Sequence, residues 1–138
     1  MATDKEKNFG LYSVCAIAGK EGTPGAPLLH LNLLVHTPTG KITGQGTITQ
    51  AIAPPNDTTH ISNITGKLRH TGLGKYTQIV SLQGYSERVF TPPAIGTALV
   101  PFDAHFATDS HWNGVGGWTL GGTSVDEVPV KKVECPIG

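Results

Sequence analysis

The sequence predicts an all-β domain: an antiparallel meander of seven or eight strands folded over itself as a sandwich or a partly open barrel. Apolar residues show almost no recurrence at helical spacing, and β-branched residues are abundant. Clusters of Gly, Pro, Asn and Asp interrupt the chain about every ten to fifteen residues, with connections mostly short enough for hairpins.

Met1 to Asn8, MATDKEKN, is short, mixed in charge and followed by no apolar run, so it reads as a disordered tail and not as a signal peptide. Residues 9–138 then form a single β domain. The first strand is Phe9–Ala18, and GKEGTPGAP leads to the second, Leu28–Val35, the most apolar segment, which His30 and Asn32 interrupt. HTPTG precedes Lys41–Ile52, where Ile42, Ile48 and Ile52 share a face with Gly44 and Gly46 while Thr43, Thr47 and Thr49 fill the other. Glycines inside a strand signal a bulge, a bend or a close backbone approach. APPND, HTGLGK and SERVFTPPAIG then separate Thr58–Arg69, Tyr76–Tyr85 and Ala98–Thr108. In the last of these Ala98, Val100, Phe102, Ala104 and Phe106 alternate with Asp103 and His105, the pattern of one buried face. DSH and GGT bound the final strands, Trp112–Leu120 and Ser124–Val133. A related alternative is one twisted sheet whose apolar face a second subunit covers, and its open edges would favour a homodimer.

Ten basic residues balance ten acidic ones, so no overall field favours nucleic acid or an anionic membrane. No apolar run approaches the ~18 residues of a membrane-spanning helix. The absence of a signal peptide predicts a cytoplasmic protein, export by a non-classical route remaining open. Asn56-Asp57-Thr58 and Asn63-Ile64-Thr65 match the N-glycosylation pattern, which a Thr-rich chain produces by chance. Cys15 and Cys135 lack the spacing of a zinc or redox pair, and the compartment predicts two reduced thiols. A disulfide is the alternative, because closure of the sheet would bring the first strand beside the last.

Candidate functional residues fall into three groups. Trp112 and Trp118, six apart in a glycine-rich strand, share one face if the strand is regular. They form either a stacking platform for a sugar ring or filling for a core face left empty by glycine. Asp103, His105, Asp109 and His111 are the densest set of metal-ligand types, without a recognised metal-site spacing. Finally, His-Thr-x-x-Gly-Lys-x-Thr occurs twice, from His36 and from His70, in alternate turns of the meander. Similar hairpins select similar turn residues, which accounts for the echo. Alternate turns emerge together, so His36, Lys41, His70, Lys75 and His111 are expected at one end of the sheet, where they would favour an anion. Gly72-Leu73-Gly74-Lys75-Tyr76 lacks the rest of a phosphate loop, no nucleophile elbow surrounds any serine, and no cofactor is expected.

The segment HTPTGKITGQGTITQAIAPP resembles a family of small β-rich bacterial proteins known as a domain of unknown function. The matching positions are Thr37-Pro38, Thr43-Gly44, Gly46, Thr49-Gln50-Ala51 and Pro54-Pro55. The resemblance implies a bacterial source and a stand-alone domain, and brings no functional residues. The function expected from the sequence is non-catalytic binding of a glycan or a protein surface. The alternatives are a small metal-dependent enzyme using Asp103, His105 and His111, or a structural, self-assembling subunit.

Overall fold

A computed structural model describes residues 10–23, 25–50, 58–71, 74–89 and 96–135. The chain forms β1 (Leu11–Ala18), β2 (Leu28–His36), β3 (Lys41–Thr49), β4 (Thr58–His70), β5 (Gln78–Val89), β6 (Thr97–Thr108), β7 (Gly114–Leu120) and β8 (Thr123–Val133). Each strand pairs antiparallel with the next, and β8 returns to β1, so the meander closes into a barrel. The predicted tail, Ile52 and the Asn56 glycosylation pattern lie outside the described residues.

Alternation supplies the core. Val14, Ala16 and Ala18 of β1, Leu29, Leu31, Leu33 and Val35 of β2, and Phe102, Ala104 and Phe106 of β6 all point inward and are buried. Large aromatic side chains can fill so small a barrel only if neighbouring positions are small. Gly66 faces Leu82 and Gly116 faces Phe106, and a Cβ on either would collide with the adjoining strand, at the Ser81 carbonyl oxygen and at the His105 carbonyl and Phe106 ring respectively. The glycines that signalled a coiled sheet are therefore the places where strands approach closely enough to close it.

Two bulges break the alternation. The register of β4 slips between Ser62 and Thr65, with Asn63 at φ 54°, so Ile61 and Ile64 are both buried although three apart. In β8 the slip falls around Glu127, also at φ 54°, opposite Gly116–Trp118. Both add the local twist that a closed barrel needs.

The closing seam is short. Only Cys15↔Val133 to Ala18↔Val130 pair β1 with β8, and the Gly19 amide adds a hydrogen bond to the Pro129 carbonyl at 2.9 Å. A Cys15–Cys135 disulfide, with Cα atoms 5.2 Å apart, and a 2.6 Å Lys131–Glu21 ion pair reinforce it. The expected pair of reduced thiols is thus corrected: closure brings the two cysteines into bonding range, and no free cysteine remains among the described residues. Closure also leaves only the ends of the seam, Leu11–Val14 and Thr123–Val128, without a partner strand across it. The open edges on which a homodimer was expected are largely absent.

Candidate functional site at the barrel mouth

An even number of strands in meander order puts the β2–β3, β4–β5 and β6–β7 turns at one end of the barrel. That end carries a cleft of about 640 Å³. It opens beside Leu11–Val14, the half of β1 that β8 does not reach. Its floor is the apolar top of the core, Val14, Val35 and Leu68, with Trp112 as one wall. Around the rim stand His70, Ser110, His111, Lys132 and the turn Thr37–Gly40, and among the described residues the lining includes no carboxylate.

Each wall is fixed by hydrogen bonds. Gln78, buried at the end of β5, donates through Nε2 to Thr108 Oγ1 at 3.3 Å and to the Asp109 carbonyl, tying β5 to the β6–β7 turn. Within that turn Asp109 Oδ1 accepts the amides of His111 (2.8 Å) and Asn113 (3.1 Å). Asn113 Oδ1 accepts the Lys132 amide at 3.2 Å, holding the turn against β8. Trp112 occupies this turn at φ 65°, a conformation that costs an aromatic residue roughly 1–3 kcal/mol. Burial of its indole and donation from Nε1 to the Tyr12 hydroxyl at 3.3 Å offset that cost. Burial also raises the Tyr12 pKa above 10.0, against a smaller opposing effect of the Trp112 hydrogen bond, so the phenol stays protonated at neutral pH.

The Asn113 and His111 amides, aided by the charges of His111 and Lys75, hold the Asp109 carboxyl below its ordinary 3.8, against a desolvation effect acting upward. A depressed folded-state pKa stabilises the fold fully above the unfolded value, and that stabilisation is lost as the pH falls through the folded value. We therefore expect Asp109→Asn to melt below wild type at neutral pH, with the gap steady down to about pH 4 and closing at lower pH. Melting curves across that range provide the check, and a gap unchanged in strong acid would show that the carboxylate charge is not its source.

The sequence-derived candidates separate on this frame. His36, Lys41, His70, Lys75 and His111 do share the end of the barrel, but only His70 and His111 line the cleft. His36 and Lys41 pair with each other on the outer face, His36 Nδ1 lying 2.8 Å from Thr39 Oγ1, and the Lys75 ammonium sits 5.4 Å over the Tyr76 ring. Trp112 and Trp118 are 2% and 3% exposed, so the open stacking platform is corrected to two packed indoles. Trp112 precedes β7, which starts at Gly114, and its indole meets Tyr12 at the cleft, whereas Trp118 lies farther along β7 opposite Ala104. The proposed metal set is not assembled either: Asp103 and His105 face outward on β6, and Asp109 is engaged by backbone amides. Among the described residues no three His, Cys, Asp or Glu side chains gather to hold a metal.

Gln78 and Lys132 were missed. Lys132 had a signal in the sequence, since Val128, Val130 and Lys132 continue one alternation and the inward face of β8 ends in an ammonium group at the mouth. A second depression, about 760 Å³, lies on the outside of β1 to β4 near His30, Asn32, Gln45, Thr47 and His60. Its lining also takes in Ile17, Val133 and Glu134, so apolar and polar side chains are mixed there on outward strand faces.

Fold and site together define the class: an eight-stranded up-and-down barrel, packed with side chains inside and open to solvent at one mouth. The chain belongs to the family described as a domain of unknown function, DUF1842, whose model matches residues 9–122. No curated protein matches the sequence. The matched span holds β1 to β7, and β8 with Lys132 and Cys135 follows it.

Proposed function

We propose that this protein is a non-catalytic binding module whose ligand occupies the barrel mouth. One observation carries the reading: a concave cleft with an apolar floor and a polar rim, of a size typical of small-molecule sites, at the open end of an otherwise filled barrel. Eight-stranded barrels have room for interior side chains or for one small ligand. Here Phe102, Phe106 and Trp118 take the interior, which leaves the mouth for a ligand. Such a concavity suits a small molecule better than a flat protein surface, and the buried indoles offer no open face to a sugar. The dispersed positions of Asp103, His105, Asp109 and His111 give a metal-dependent reaction no support.

A fragment screen followed by amide chemical shifts tests this. Hits are expected to move Val14, Val35, Leu68, His70 and Gln78 together. Leu68→Phe, which fills the floor, should weaken them about tenfold, equivalent to 1.4 kcal/mol, while the circular dichroism spectrum stays that of the wild type. Hits that scatter over the barrel, or that bind Leu68→Phe undiminished, would exclude the mouth as the site.

A further inference from the structure

We infer that the ligand of the barrel mouth is an anionic amphiphile, a small molecule with an acidic head and an apolar tail. The inference rests on the mouth being the binding site and assigns the chemistry of what enters it. The rim presents the Lys132 ammonium and the His70 and His111 imidazoles, from β8, β4 and the β6–β7 turn respectively. Three separate elements thus converge nitrogen groups on one opening; among the described residues its lining includes no carboxylate, and Glu134 lines the adjoining depression that shares His111 and Lys132. The nearest acid in these turns, Asp109, already accepts two backbone amides and lies under the charges of His111 and Lys75. Tyr12 adds a neutral phenol. A negative head therefore meets positive potential at the rim without displacing an internal ion pair.

Below the rim the chemistry changes. Val14, Val35 and Leu68 close the floor, and the Trp112 side chain, anchored through Tyr12, forms a wall beside them. A fully polar anion such as inorganic phosphate would leave this floor wet, whereas a short alkyl or aryl tail would cover it. Burial of apolar area contributes roughly 25 cal/mol per Å², so head and tail each add to affinity and neither alone uses the whole site. The filled core limits the depth: Leu29, Leu33 and Phe106 are fully buried beneath, so the tail is short.

Octanesulfonate, used below its micellar concentration, is a suitable probe because its head stays ionised throughout the working pH range. Methanesulfonate supplies the head alone and octanol the tail alone. Octanesulfonate is expected to shift Val14, Val35, Leu68 and His70 together and to bind at least about tenfold more tightly than either part. His70→Gln, His111→Gln and Lys132→Gln should each weaken octanesulfonate binding while leaving the binding of octanol unchanged. If octanol binds at the mouth as tightly as octanesulfonate, the anionic class is overturned while the mouth stands as a site. If no probe moves the mouth residues, or only the His30–His60 face responds, both readings fail.

Discussion

Reduction of the Cys15–Cys135 disulfide is expected to destabilise the barrel by about 2–5 kcal/mol, the range for cross-links closing long loops. The bond joins residues 120 apart, so it constrains nearly the whole unfolded chain. The native contacts that it supports are few, because four residue pairs are all that join β1 to β8 in register. At about 2–5 °C per kcal/mol for a domain of this size, the melting temperature should fall on the order of 10 °C in dithiothreitol. Cys135→Ser should reproduce the loss. Cys135 is exposed, so a reductant reaches the bond without prior unfolding. Amide exchange should rise first at Ile17 and Gly19, which lie on the side of β1 that bonds β8, before the long β5–β6 ladder responds. An unchanged melting temperature after thiol titration confirms full reduction would show that the ion pair and hydrogen bonds hold the seam unaided.

Phe106→Ala is the second large effect, at about 3–5 kcal/mol. Phe106 is among the largest fully buried side chains, and its ring packs against the space left by Gly116 on β7. Strands locked in a closed ladder cannot shift far to fill the hole, so the cavity term should be near its upper end. Urea denaturation gives the number, and a loss below about 1 kcal/mol would mean that the barrel collapses around the vacancy. Because Phe106 lies below the mouth, the variant should deepen the cleft and accept a longer tail than wild type does.

The meander and its inward faces were legible because period-two alternation and turn residues are local signals. Ala98–Thr108 was read almost as it stands in β6, and Phe102, Ala104 and Phe106 face the core as the pattern required. Closure of the barrel was less legible. It depends on inward glycines such as Gly66 and Gly116 meeting a neighbour's backbone, and a sequence does not state which neighbour. Bulges hid in the same way: Ile61 and Ile64 look like opposite faces until Asn63 adopts a positive φ. At the site, turn parity placed His70 and His111 at one end, but parity cannot separate a rim that faces the opening from one that faces outward. His36 and Lys41 therefore shared the end without sharing the cleft. The indoles misled because a spacing of six implies one face only within a regular strand, and Trp112 sits in the turn before it.

The even strand count has a practical side. The chain enters β1 beside His36 and leaves β8 beside Cys15, so both ends of the barrel's polypeptide emerge at the mouth. A tag or a surface linker joined directly at Gly10 or at Cys135 would stand in the path of a ligand and cast a steric shadow over the cleft. The opposite pole, with Lys20 and the exposed turn Gly121–Gly122, lies a strand's length away. Immobilisation through that pole leaves the mouth facing free solution, and a cargo domain joined directly at Gly10 or at Cys135 would be held next to whatever the mouth captures.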